Sequence, residues 1–123
     1  MAYSILHVSF IVEDTARALD FYVGVLGLSV NDGRPDLGYP GAWLQCGEQQ
    51  IHLLELPNPD PVSGRPAHGG RDRHAAFAVN ALDDLTASLE KAGIAYTLSK
   101  SGRRALFCRD PDGNALEFIE QTR

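Results

Sequence analysis

A repeated pairing constrains this chain more than any other feature. His7 opens the segment His7-Val-Ser-Phe-Ile-Val, and His74 opens a matching one, His74-Ala-Ala-Phe-Ala-Val. Each leading histidine has a second candidate ligand near the end of its own half, His52 in the first and Glu117 in the second. The separations are 45 and 43 residues, so a two-residue difference in loop length superimposes the pairs. A duplicated pair is hard to dismiss as chance, and it predicts two copies of one structural module. Three imidazoles and one carboxylate are a donor set for a divalent transition metal, and internal symmetry would bring the two pairs around one centre.

The segments around these residues read as strand, helix and three strands, twice. In Leu6 to Val12 the alternation sets Leu6, Val8, Phe10 and Val12 on one face and His7, Ser9 and Ile11 on the other. The bulky face suits packing against a helix. In the second half Ala75, Phe77 and Val79 alternate against His74, Ala76 and Ala78, so small residues again share the histidine's face and leave room for a pocket. Asp14 is the expected N-cap of a helix with Ala18, Leu19, Tyr22, Val25 and Leu26 at helical spacing, and Gly27 suits the left-handed position after it. Leu82, Leu85, Leu89 and Ala92 ahead of Gly93 repeat the device. Short strands are expected at residues 28–30 and 94–96. Hairpins follow from 42–46 with 50–56, and from 105–109 with 115–120, the second joined by Asp110-Pro111-Asp112-Gly113-Asn114. Residues 57–73, with four prolines and Gly64, Gly69 and Gly70, read as the linker.

Length and charge narrow the function. A chain of 123 residues, 44% hydrophobic and 22% charged, is one soluble globular domain with a real core. A net charge of −5 argues against nucleic acid, which needs a basic surface to displace counterions. Residues 1–12 lack the basic start of a signal peptide, and no apolar run reaches the length of a membrane span. Cys46 and Cys108 are too few for a disulfide framework; a cytoplasmic setting is expected, with both thiols as small buried hydrophobes.

The entry Leu6-His7-Val8, the helix signature Leu19-Asp20-Phe21-Tyr22 with Leu26-Gly27-Leu28, and the tail from Phe107 to Glu117 resemble the vicinal oxygen chelate superfamily. That group includes glyoxalase I, methylmalonyl-CoA epimerase, fosfomycin-resistance thiol transferases, extradiol dioxygenases and bleomycin-binding proteins. The resemblance covers nearly the whole chain. It implies an α+β fold of two tandem βαβββ modules forming a cupped mixed sheet, one glyoxalase-like domain over 1–123, with module 1 about 4–56, the linker 57–73 and module 2 about 74–121. It places metal ligands at His7, His52, His74 and Glu117, the four that the repeat selects unaided.

Function follows by the same route. The resemblance implies one divalent transition metal ion (Ni, Zn, Co, Mn or Fe) that chelates vicinal oxygens of a small-molecule substrate and stabilises an oxyanion or enediolate during proton transfer, a lyase or isomerase reaction of glyoxalase I type. Glu117 is then both ligand and catalytic base. Ser9 and Arg104 are expected at the substrate, and the chain is expected to be a homodimer. The alternatives are a fosfomycin-type thiol transferase, an extradiol dioxygenase, or a non-catalytic bleomycin-resistance-like binding protein. Glyoxalase I carries a carboxylate where His52 stands, and the arginine and asparagine of the bacterial glutathione site are Ile11 and Leu56 here.

Blander readings compete at single residues. A lone strand histidine is more often packing or surface than ligand. Glu55 shares a strand with His52, but parity sends it to the opposite face. His68, in the linker, is expected in solvent. Asp110, Asp112 and Asn114 read as a turn, since the stretch is too short for a calcium loop.

Overall fold

Each half folds as βαβββ, in the order the repeat implies. The computed structural model describes residues 1–121, and the chain divides into two compact units, Met1–Asp60 and Pro61–Arg123. The first holds β1 (His7–Val12), α1 (Thr15–Leu19) running into a π-helical segment (Asp20–Val25), β2 (Ser29–Asn31), β3 (Gly41–Cys46) and β4 (Gln49–Glu55). The second holds a 3-10 turn (Gly69–Arg71), β5 (His74–Val79), α2 (Leu82–Lys91), β6 (Tyr96–Leu98), β7 (Ala105–Arg109) and β8 (Ala115–Glu120). Each unit has its own four-stranded sheet, ordered β1-β4-β3-β2 and β5-β8-β7-β6. Among the described residues no helix is long and apolar enough to cross a membrane.

The first and last strands of each unit pair in parallel, and the other neighbours are antiparallel. A parallel pair cannot be closed by a tight turn, so the chain must cross over between its members. The crossover helix covers one face of the sheet. Beneath it lie Ile51 and Leu53 of β4 with Leu44 of β3, and in the second unit Leu106 and Leu116, all at most 1% exposed. The opposite face carries the histidines.

Helix entry is also duplicated. Asp14 caps α1 as expected, its carboxylate accepting from the Arg17 N–H at 3.2 Å. A second acceptor comes from the sheet: Glu55 accepts from the Thr15 N–H at 2.8 Å, and Glu120 from the Leu82 N–H at 3.0 Å. Ala81, which precedes α2, has no side chain able to cap it. Both glutamates sit opposite the last residue of their unit's first strand, Val12↔Glu55 and Val79↔Glu120. Strand parity thus sends Glu55 to the helix side, as expected, and leaves His52 on the other.

Three details depart from the sequence reading. The first helix widens after Leu19, where the Leu26 N–H reaches back five residues to the Phe21 carbonyl. A π-turn spaces side chains more closely around the axis, so Phe21 joins Tyr22 in the core, their rings edge to face at 5.0 Å. The strand expected at 94–96 begins at Tyr96. Gly93 takes φ 71°, and the Ile94 N–H caps back to the Leu89 carbonyl, so the exit from α2 consumes two more residues. Leu6, expected on the buried face of β1, is 74% exposed because the strand begins one residue later.

Replacing Glu55 by Ala should destabilise the protein by about 1 kcal/mol, the usual cost of an N-terminal cap. Glu55→Gln, which keeps an acceptor oxygen, should lose clearly less in urea unfolding. Equal losses would mean that charge rather than the hydrogen bond carries the effect.

Candidate metal and substrate site

In the first unit, β1 and β4 align Ser9 with His52. His7 lies two residues before Ser9 on the same face, and its ring stacks on His52 at 3.9 Å and 15°. Trp43 faces His52 across β3 and also stacks on it, at 4.2 Å and 5°. Burial, then the neighbouring charges of His7 and Arg34, push the His52 pKa down. A neutral imidazole is the form that can ligate a metal. Nε2 of His52 lies 2.8 Å from Gln50 Oε1, a hydrogen bond that would be exchanged if this nitrogen took a metal.

The second unit repeats the register, with Ala76 and Phe107 flanking Glu117. Glu117 is only 3% exposed. Its Oε1 lies 3.2 Å from His74 Nε2 and its Oε2 3.1 Å from Arg103 Nη2. The other ring nitrogen of His74, Nδ1, lies 2.9 Å from the Asp72 carbonyl. A carbonyl only accepts, so Nδ1 carries a proton and, in the neutral ring, Nε2 turns a lone pair toward the carboxylate. Two acceptors so placed repel unless a cation or proton lies between them. With metal–ligand bonds of about 2.1 Å, adjacent donors in a tetrahedral or octahedral shell stand roughly 3.0–3.4 Å apart. The His74–Glu117 spacing fits that edge.

Asp72 is itself clamped. Arg65 reaches its Oδ1 at 2.8 Å and Arg109 its Oδ2 at 2.9 Å, and these guanidiniums hold its carboxyl well below the usual carboxylate range. Arg109 also donates to the carbonyls of Pro66 and Gly113. The proline-rich stretch is therefore more than a connection: from Pro61 onward it belongs to the second unit and is strapped onto β7.

His68, expected in solvent, corrects the sequence reading. Its Nδ1 lies 2.6 Å from Thr97 Oγ1 and its ring meets Phe107 edge to face at 4.8 Å, because the strap folds inward there. Arg104, expected at the substrate, instead pairs with Asp83 and, at 2.6 Å, with Glu120 Oε2 beside the start of α2. Arg103, the residue before it, is the one that reaches Glu117. Ser9 is exposed on the His7 face. Burial pushes the Cys108 thiol up to about 12, as expected of a packing thiol, while Cys46, expected buried, is only half-buried, and that partial burial raises its thiol. The turn after β7 is confirmed, with Asp110 Oδ1 accepting from the backbone of Asp112 and Asn114 and Gly113 at φ 84°.

Each unit thus contributes a pair of donors. Among the described residues no group of three or more His, Cys, Asp or Glu side chains able to hold a metal is formed. Sequence reasoning missed Trp43, Gln50 and Asp72. The first two were legible in principle, since β3–β4 pairing sets Trp43 opposite His52 and Gln50 shares its strand face.

The model of the glyoxalase/bleomycin resistance protein/dioxygenase superfamily matches residues 4–118. The chain belongs to this superfamily. It is 32% identical to "Glyoxylase I 4" of Arabidopsis thaliana over 94% of this chain and 69% of that protein. It is also 32% identical to the protein YwkD of Bacillus subtilis (strain 168), over 96% of this chain and 97% of that one. Among solved structures, a glyoxalase family protein from Bacillus anthracis superimposes with a TM-score of 0.79 at 27% identity, covering 99% of this chain and 98% of its own. Superfamily membership thus joins a paired-module fold to the donor pairs described above.

In metal-free protein, His52 should titrate below the ordinary histidine value of about 6.5. His7→Ala should raise that midpoint, since it removes both a neighbouring charge and part of the burial. Because the folded-state value is depressed, the stability linked to His52 is fully present above about pH 6.5 and is lost as pH falls through the folded midpoint. NMR titration of the ring nitrogens reads the shift, and an unchanged midpoint in the variant would contradict the stacked pair.

Proposed function

We propose that this chain is a metal-dependent, glyoxalase-like enzyme acting on a small oxygenated substrate, with His7, His52, His74 and Glu117 as the protein ligands of one divalent transition metal ion. The observation that carries it is the His74–Glu117 pair, with the imidazole Nε2 3.2 Å from an oxygen of a buried carboxylate and the ring fixed from behind by the Asp72 carbonyl. The donor chemistry fits a borderline metal such as Zn, Ni, Co, Mn or Fe. Such an ion, when bound, supplies Lewis acidity to two adjacent substrate oxygens and stabilises the oxyanion that forms.

The chain's own groups do the rest. Glu117 takes and returns the proton at the carbon beside those oxygens, with Arg103 fixing the direction of Oε2. Ser9, exposed beside His7, and the face of Trp43 line the substrate's space. Arg104 is engaged with Asp83 and Glu120, so the substrate-side cation in this reading is Arg103. We further propose a homodimer in the cytoplasm, where two free thiols remain reduced.

Protein purified without a histidine tag should hold one metal per chain by elemental analysis. His52→Ala should lose most of it while Glu55→Ala retains it; the reverse would move the ligand to Glu55. An empty wild-type site that takes up no added metal would instead favour the drug-binding members of the superfamily.

Glu117→Gln keeps the shape and one oxygen donor but removes the base. On the substrate found by screening hemithioacetals, 2-hydroxyacyl thioesters, fosfomycin and catechols, this variant should keep some metal and lose about two orders of magnitude or more in turnover. Near-normal turnover would sink the proton-transfer role. Sedimentation should show a dimer at micromolar concentration, and a monomer there would remove the assembly claim.

A further inference from the structure

Arg34, Arg65 and Arg109 are half-buried, and the last two are spent on Asp72. Arg34 forms an ion pair with no carboxylate among the described residues. Its side chain is nevertheless held in place. Nη2 donates to the Tyr39 carbonyl at 2.7 Å, and the guanidinium carbon lies 5.3 Å from the centre of the Tyr39 ring. A guanidinium carries five N–H donors, so the Tyr39 carbonyl takes one and four remain. A cation partly withdrawn from water, fixed in direction and lacking a counter-charge is prepared for an anion.

Its place in the first unit gives that anion a context. A Cβ on Gly41 would stand 3.1 Å from Arg34 Nη2, so the guanidinium lies against the start of β3. Gly41 pairs with Leu54, and Trp43 with His52. Leu54 follows His52 by two residues and shares its strand face, which puts the two pairs roughly 7 Å apart along the strands. Burial and His7 lower the His52 pKa first and Arg34 adds to them, so the field of this cation is felt at the imidazole. A chain of net charge −5 otherwise repels small anions, and only a local cation reverses that.

We propose that Arg34 is an anion-recognising residue beside the Trp43–His52 stack, and that the substrate carries a carboxylate or phosphate group besides the oxygens it offers a metal. The substrate half of this statement rests on the enzyme reading above; the anion site does not.

The first test uses the intact chain and needs no metal. Trp43 is the only tryptophan and stacks on His52, so its fluorescence reports this space. At constant ionic strength inorganic phosphate should change that fluorescence saturably, whereas uncharged trimethyl phosphate should not. Arg34→Gln should weaken phosphate at least tenfold, and Arg34→Lys, which keeps the charge without the planar fork, should lose less. In the unaltered chain the Arg34 Nε–H signal in 15N NMR, assigned by its loss in Arg34→Lys, should shift with the same midpoint as the fluorescence. That measurement decides the matter even where Arg34→Gln fails to fold. A merely structural clasp on Tyr39 would lower the thermal midpoint of the Gln variant and leave phosphate affinity unchanged. That outcome, no saturable phosphate response, equal binding of trimethyl phosphate, or an unmoved Arg34 signal would overturn the proposal.

A second arm names the anion. In metal-loaded protein, malate binding tighter than lactate, with the advantage lost in Arg34→Gln, assigns a carboxylate. An Arg34-dependent advantage of 3-phosphoglycerate over glycerate assigns a phosphate. Absence of both would overturn the substrate half. Failure of metal uptake would defeat the enzyme reading, while the phosphate titration still upholds or overturns the anion site.

Discussion

Everything in this protein hangs on the parallel pairing of the first and last strands of each module. That pairing sets Ser9 beside His52 and Ala76 beside Glu117, and three residues further along it sets Val12 beside Glu55 and Val79 beside Glu120. The last strand therefore works on both faces. On one it presents a metal-type donor; on the other it presents a glutamate that satisfies the N-terminus of the crossover helix. A slip of one residue would exchange the faces, burying the donor under the helix and stranding the cap on the opposite face of the sheet. Helix docking and site formation are in this sense one event.

The modules are copies in topology and differ in finish. In the first, the donor face stays half-open, and the order of the pair comes from ring stacking among Trp43, His52 and His7. In the second, the strap lies over the same face. A Cβ on Gly69 would stand 3.3 Å from the Ala115 side chain, so the strap comes this close because glycine occupies the position. Burial on both faces explains why Ala105 to Cys108 and Ala115 to Phe118 are buried without alternation, whereas β3 and β4 alternate. It also explains how a carboxylate stays buried, since His74 and Arg103 meet its two oxygens.

That asymmetry divides the chemistry. Asp72, held by two arginines, gives His74 a fixed tautomer and direction. Among the described contacts the first module's histidines have a softer arrangement, with Gln50 on the His52 nitrogen that a metal would claim. A buried, directed His–Glu pair and an open aromatic–imidazole stack are different surfaces to offer a substrate. Membership of the superfamily supplies the architecture that carries both; the residues around each pair are this chain's own.

The duplication, the element order, the face of each donor and the turn after β7 were all legible in the sequence, because they follow from local rules. Strand parity has a period of two, helices start and stop at caps and glycines, and a repeat of spacing needs no knowledge of what touches what. The placement of His52 and Glu55 on opposite faces also followed from parity. The π-helical widening that buries Phe21, the inward fold of His68, the pairing of Arg103 with the Glu117 carboxylate and the clamp on Asp72 were not legible. Each depends on contacts between residues far apart in the chain, such as Arg109 with Asp72 and Pro66, or Arg103 with Glu117. Local pattern decides which way a side chain points; only packing decides what it meets.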